Sequence, residues 1–343
     1  MINAKDMMKH SFLIVAACMM AGLSACSDEG DTAEICGQPA DNVIRVTTTG
    51  VAPNATATVT RAGYETSNLE EFGFFVNNPV SAMFTYGNVR MSRTEDGGWK
   101  AADEVEMFWM SRFQPVTVLA YAPYREGDYT VSSKMAVNAL PDQSDERNVM
   151  ASDFIGMKVD NFLPKIGEGG DLTEDGMVPV TMRHLMSKLR ITVEYPGRLN
   201  SPDAANPVTE MRIGGVALKG VCDFDAWKED GASSAVVVDG ESAGMETVIP
   251  FVEDFFQGDE GGTAVYECIL VPQVVDKLQV GFVVGGVPYA WEKEALELEA
   301  GTIYRIRLKI VSRKVELGGD VAVDEWQDGG KEEVMDELDM KSR

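Results

Sequence analysis

From about Val43 onward, apolar residues recur at every second position, and that period restricts the chain to sheets. Leu189, Ile191, Val193 and Tyr195 share one face, while Lys188, Arg190, Thr192 and Glu194 share the other. Tyr304, Ile306, Leu308 and Ile310 alternate in the same way with Arg305, Arg307 and Lys309. Successive side chains of a strand point to opposite sides, so each segment reads as a strand with one buried and one wet face. That is the mark of antiparallel sheets packed as a sandwich. Leu278, Val280, Phe282 and Val284 lead into Gly285-Gly286, after which Val287, Tyr289 and Trp291 return. This predicts a hairpin whose two glycines supply the positive φ that a tight turn requires. Further strands are expected over 72–77, 115–121, 208–216 and 265–271, with turn-rich stretches such as 95–98 and 167–171 between them. No helical pattern of more than a few turns precedes the charged stretch from Lys331, and no solenoid repeat is present.

A chain of 343 residues is too long for one ordinary sandwich and comfortable for two. The clearest internal break is 196–207, with three prolines, one glycine, two asparagines and two alanines following a well-formed strand. The expected architecture is therefore all-β, with one sandwich over 43–198, a second over 199–330 and an acidic tail over 331–343.

The front of the chain reads as a targeting signal. Behind Lys9 and His10 runs an apolar stretch from Ser11 to Gly22, too short to span a bilayer but right for a secretory signal. Leu23-Ser24-Ala25-Cys26 follows and resembles a bacterial lipobox, in which the cysteine becomes the first mature residue and carries the lipid. Residues 1–25 are then a lipoprotein signal peptide, and 26–42, polar and small, a tether. Cys26 is the expected lipidation site, and the mature protein is anchored to a membrane rather than embedded in it. Cys36, Cys222 and Cys268 remain, without zinc-type spacing; a Cys222–Cys268 disulfide is left open.

The charge balance, 30 Lys and Arg against 55 Asp and Glu for a net −25, repels phosphate backbones, so nucleic acid is not an expected partner. The mature chain holds a single histidine, His184, which excludes a multi-histidine metal site and leaves one candidate for any Ser-His-Asp or Cys-His arrangement. Its place at the entry to a strand suits a structural histidine bonded to a loop. Asp171-Leu172-Thr173-Glu174-Asp175-Gly176 spaces its oxygens like a calcium loop, but Met182 stands where a bidentate Glu is needed. Glu253-Asp254 and Asp259-Glu260 could supply a glycosidase pair, although acidic residues are abundant enough for such pairs to arise by chance. Neither nucleophile elbow nor phosphate-binding glycine fingerprint occurs in the mature part. The expectation is a non-enzyme with no catalytic residues, no cofactor and no metal.

Several stretches, taken in order, resemble the fimbrillin family of Bacteroidia, the FimA/Mfa-like lipoprotein pilins. They are the lipobox Cys26, then Ala57-Thr58-Val59-Thr60-Arg61-Ala62 ahead of Leu69-Glu70-Glu71-Phe72-Gly73-Phe74-Phe75, and His184-Leu185-Met186-Ser187-Lys188-Leu189-Arg190-Ile191. Later come Cys268-Ile269-Leu270-Val271-Pro272-Gln273, Leu298-Glu299-Ala300-Gly301-Thr302-Ile303-Tyr304 and a last strand ending at Trp326. Ser27-Asp28-Glu29 also resembles the surface-export signal of such lipoproteins. The resemblance implies two tandem transthyretin-like β-sandwich domains and a structural subunit (stalk, tip or anchor) of a cell-surface fimbrium supporting adhesion or biofilm formation. It further implies an outer-membrane lipoprotein that a trypsin-like protease cuts after an arginine near the front. The first strand then leaves, and a strand from another pilin subunit fills the groove. The expected partners are other pilin subunits, that protease, the outer membrane and a host or bacterial surface receptor.

Two arginines suit the cut. Arg45 lies within a strand-like run, whereas Arg61 lies in Thr60-Arg61-Ala62-Gly63 among small residues, with the strand-like 43–60 in front. The expected scissile bond is Arg61–Ala62. The rival reading is a monomeric surface glycan-binding lipoprotein with Trp99, Trp109, Trp227, Trp291 and Trp326 as sugar platforms, most of which should instead be core.

Overall fold

A computed structural model describes residues 41–51, 63–102, 105–227, 235–240, 246–311 and 314–326. The fold is all-β. The first half builds a seven-stranded sheet from β1 (Val46–Val51), β2 (Glu71–Asn77), β3 (Tyr86–Arg93), β4 (Trp99–Ala101), β5 (Val116–Ala122), β7 (Ile155–Phe162) and β8 (Val178–His184). Their order across the sheet is β1-β8-β7-β5-β2-β3-β4. Every pairing is antiparallel except the outermost, in which β1 runs parallel to β8 with Val46 opposite Val178.

The two ends of this sheet approach each other. Trp99 Nε1 donates to Thr48 Oγ1 at 2.9 Å, and Val43 bridges to Phe108. The curled sheet thereby encloses a core of Ile44, Val46, Phe72, Phe74, Trp109, Val118, Val178 and Val180. Alternate residues on the other face, Phe75, Leu119 and Tyr121, pack with Phe224 and Met135 into a second core that runs through the remainder of the molecule. Gly73 belongs between these layers for a steric reason, since a Cβ there would sit 2.3 Å from Cε1 of Tyr121.

Between β5 and β7 lie β6 (Lys134–Asn138) and one short helix, α1 (Glu146–Ser152), whose N-cap Asp145 accepts from Arg147 N at 2.8 Å. β6 leaves the first-half strands and pairs with β11 (Lys219–Asp223), which also pairs with β12 (Val236–Val238). The halves are therefore stitched by shared strand pairing as well as by side chains.

Two more sheets complete the second half. One has the order β13-β10-β16-β17, from β13 (Glu246–Val248), β10 (Val208–Val216), β16 (Gln273–Val284) and β17 (Val287–Leu298). Gly285 and Gly286, at φ +58° and +76°, join β16 to β17 as the expected hairpin. The other sheet has the order β14-β15-β9-β18-β19, from β14 (Phe251–Gln257), β15 (Gly261–Leu270), β9 (Ser187–Pro196), β18 (Thr302–Val311) and β19 (Lys314–Leu317), with β20 (Ala322–Glu325) also on β18. By strand pairing the second half begins at Ser187, because β9 pairs with β15 and β18. The proline-bearing stretch 196–207 is thus a connection inside that half, between β9 and β10.

One face assignment needs correction. The polar side of β9 was expected to be wet, yet Lys188 and Arg190 are buried. β9 is an inner strand, and carboxylates from neighbouring strands meet its charges inside the molecule.

Candidate functional site: the leading strand and the junction

β1 occupies one end of the first-half sheet, and the segment leading into it is held by both backbone and side chains. Ile44 N donates to Met107 O, Trp109 N to Asn42 O and Val178 N to Arg45 O, each at 2.8 Å. Ile44 and Val46 point into the core, while Arg45, between them, turns outward to the carboxylate of Asp41. The Arg45 guanidinium holds that carboxyl down at about 2. An arginine whose own carbonyl is in a backbone bond and whose two neighbours are buried is poorly presented to a protease, which needs an extended exposed segment. Cys26, Arg61 and Ala62 lie outside the described residues.

The chain resumes at Gly63 directly on a buried junction between the halves. Tyr64 N donates to Asp153 Oδ2 at 2.8 Å, and His184 Nδ1 lies 2.9 Å from the same oxygen. The imidazole stacks on the indole of Trp326, with centroids 3.7 Å apart and planes within 5°. His184 is therefore a buried structural residue at the end of β8, bonded to the residue that precedes Phe154 and β7. Trp326, after β20, is tied back by its N–H to Gly301 O at 2.5 Å. A Cβ on Gly63 would lie 3.0 Å from the same indole. The segment after the expected cut, the end of β8 and the last described strand thus meet at one point.

The indole continues into a buried charge cluster that was not expected from the sequence. Lys188 Nζ stands 4.8 Å from the Trp326 ring centroid and 3.3 Å from Glu267 Oε2. Arg190 reaches Glu253 at 3.0 Å and Glu267 at 3.7 Å. Two cations balance two carboxylates, which is the condition under which buried charges persist. Burial, and then the neighbouring Glu267 carboxylate, push Glu253 up to about 7, against the opposing pull of Arg190. Glu253 is thus grouped with Glu267, Arg190 and Lys188, while Asp254 accepts from Phe255 N at 2.8 Å. Alternation marks Lys188 and Arg190 as facing the side opposite the core, and nothing local in the sequence signals partners some 60–80 residues further on.

The other residues singled out in the sequence have defined surroundings. Cys222 and Cys268 are both free and buried, so no disulfide joins them, and burial pushes the Cys222 thiol up to about 12. Asp171 uses its carboxylate to accept from Leu163 N at 2.6 Å within its own loop. Among the described residues no cluster of His, Cys, Asp and Glu is arranged to hold a metal ion. Trp109 and Trp326 are buried, and Trp99, Trp227 and Trp291 are half-buried, so no tryptophan stands out as an open platform.

With this geometry in view, comparison with known families is decisive. The family model described as "Fimbrillin-like" matches residues 45–326, from the leading strand through both halves to Trp326. The chain belongs to the fimbrillin-like family.

Two solved structures agree on the fold. A candidate cell adhesion protein from Bacteroides uniformis ATCC 8492 is similar at a TM-score of 0.55 and 18% identity, covering 84% of this chain and 100% of that one. A second, from Bacteroides ovatus ATCC 8483, gives a TM-score of 0.51 at 15% identity over 83% of this chain and 96% of its own. The tip fimbrial protein Mfa3 from Porphyromonas gingivalis is more distant, at a TM-score of 0.42 and 9% identity, over 75% and 94% of the two chains. No curated protein matches. In this fimbrillin-like chain the family match begins at the residue that precedes β1 and ends on the indole that closes the junction.

Proposed function

We propose that this fimbrillin-like chain is a structural subunit of a cell-surface fimbrium. It is exported as an outer-membrane lipoprotein through Cys26 and assembles with other pilin subunits by strand exchange, supporting adhesion or biofilm formation. A trypsin-like protease cuts between Arg61 and Ala62; β1 leaves, and a strand of a second subunit replaces it along β8. The protein works through assembly rather than catalysis.

One observation carries this reading. Among the described residues the strand upstream of the proposed cut is the terminal strand of its sheet and pairs with one strand, β8. Its departure leaves the rest of the sheet's ladder intact while opening a groove along Val178 and Val180 and a row of unpaired backbone groups. A sheet edge in that state is a template for an incoming strand. The position of Arg45 within backbone bonds supports Arg61 as the site of cutting.

The test is brief trypsin treatment of the mature protein, followed by N-terminal sequencing, size-exclusion chromatography and unboiled gels. The expected result is a species beginning at Ala62 and an SDS-resistant ladder, both lost in Arg61→Ala. A cut that leaves a stable monomer, or no species beginning at Ala62, overturns the mechanism.

A further inference from the structure

β14, β15 and β9 are consecutive strands of one sheet, and each sends a charged side chain to the same interior spot: Glu253, Glu267 and Lys188. Lys188 lies opposite Ile269, and Glu267 opposite Arg190, so Lys188 and Glu267 are diagonal neighbours across the β9–β15 ladder. Glu253 arrives from the other side of β15, at the bulge between Val252 and Asp254. Lys188 Nζ stands 3.3 Å from Glu267 Oε2, with both side chains fully buried, so the carboxyl carbon is at most one bond further from the nitrogen. The Trp326 ring, 4.8 Å from Nζ, covers the amine from another direction. A carboxylate stripped of water is normally satisfied by hydrogen bonds. Glu267 is not: neither of its oxygens accepts a hydrogen bond from an ammonium, guanidinium, amide or hydroxyl among the described residues. The amine touches the carboxyl without being hydrogen-bonded to it, an arrangement that suits attack better than pairing.

We infer that Lys188 and Glu267 condense into an intramolecular isopeptide bond, made by the folded chain itself. The step balances on the groups present. A proton first passes from the Lys188 ammonium to the Glu267 carboxylate, which turns a buried ion pair into a neutral amine and a neutral acid. The amine lone pair attacks the carboxyl carbon, and a C–N bond forms. Glu253, raised to about 7 by burial and the neighbouring Glu267 carboxylate, holds a proton and shares it with Glu267 in a hydrogen bond that polarises the carbonyl. The nitrogen then gives one proton to the hydroxyl, the C–O bond breaks and water leaves. Ammonium and carboxylate become amide and water, with nothing oxidised or reduced. Holding the two groups in contact replaces a bimolecular encounter. Removing two buried charges favours the product. Glu253→Gln keeps a donor at that oxygen and should leave the bond in place. Burial, the larger cause of the raised Glu253 value, outlasts the bond.

The bond goes beyond the fimbrial-subunit reading and needs neither proteolysis nor strand exchange. Lys188 is the second residue of β9, where the chain enters the second half. A cross-link from there to Glu267 closes residues 189–266 into a covalent loop. Tension applied along the backbone then passes from Lys188 through the side-chain bond to β15 and bypasses the loop, so β9 cannot unzip from β15 under load. The same closure restricts the unfolded chain, as a disulfide does.

The experiment is the intact mass of the mature chain, residues 26–343 made without lipid, followed by digestion and tandem mass spectrometry. The expected mass is one water below that of the sequence, with a branched peptide joining Lys188 to Glu267. Lys188→Arg keeps a cation at the site but offers a guanidinium that stays protonated, so it should show the full mass and melt at a lower temperature. A full mass in wild-type protein that melts cooperatively overturns the bond. So does a water loss that maps to an Asp-Gly succinimide, as at Asp96-Gly97, or one that persists in Lys188→Arg. Should Lys188→Arg fail to fold, the wild-type mass and peptide map decide alone. The mass is read on uncut, monomeric protein, so its failure and that of the SDS-resistant ladder are separate results.

Discussion

Removing the leading strand should strongly destabilise the first half unless another strand takes its place. The segment buries two apolar side chains, Ile44 and Val46, and makes three backbone bonds, to Met107, Trp109 and Val178, in addition to its ladder with β8. Full burial of such side chains stabilises by roughly 1.5–3 kcal/mol each, and each hydrogen bond adds about 0.5–1.5 kcal/mol net. The two side chains and these three bonds alone come to about 5–10 kcal/mol before the ladder is counted, the same order as the whole stability of a typical domain. A protein beginning at Ala62 should therefore melt at least about 10 °C below the intact chain, at ~2–4 °C per kcal/mol for a domain of this size. A synthetic peptide of residues 41–51 should restore the transition in proportion to its concentration, since anything that binds only the folded state stabilises it by mass action. Circular dichroism melts with and without peptide read both effects. An unchanged melting temperature in the truncated protein would refute the energetic argument. A lowered one that no concentration of peptide raises would refute the idea that the groove accepts a strand.

Other residues give independent checks. Glu253→Gln should leave stability unchanged near pH 5 and raise it near pH 8. The folded-state value of about 7 lies above the ordinary carboxyl value, so the wild type loses stability as pH rises between the two, and glutamine does not. The gain should be on the order of 1–3 kcal/mol by urea titration, and a loss at pH 8 would mean that the Arg190 pair outweighs burial. Trp326→Ala empties a site between His184 and Lys188 and should cost about 3–5 kcal/mol. Increased amide exchange at Tyr64 and in β20 should accompany it, and protection unchanged at both would contradict the junction. Gly73→Ala forces a Cβ into Tyr121 and should destabilise by more than about 1 kcal/mol; a neutral result would mean that the ring moves freely.

How far these features were legible in the sequence depends on what each one rests on. The β16–β17 hairpin and β10 follow from local signals, a period of two and a glycine pair, and were expected at those positions. The short helix α1 depends on one N-cap and two buried residues, Val149 and Ser152, too little periodicity to stand out. β6 reads as a strand only once β11, some 80 residues later, is beside it. Lys188 and Arg190 show the general difficulty. Alternation reports which side chains share a face, but not whether another layer covers that face, and a charged side chain on it need not be exposed. The lipobox and Arg61 were named from sequence chemistry alone, and they lie outside the described residues.

The parallel pairing of β1 with β8 also bears on the order of events as the chain folds. Val46 must find Val178, roughly 130 residues further along, so this ladder closes the longest loop in its sheet. Non-local parallel pairing is slow to form. The first strand of the sheet in chain order is therefore expected to be among the last to dock, and until then its edge and that of β8 are both unpaired. A strand that docks late is also placed to undock early. A chain caught at that stage has its remaining strands already paired while the leading one is still waiting for its place.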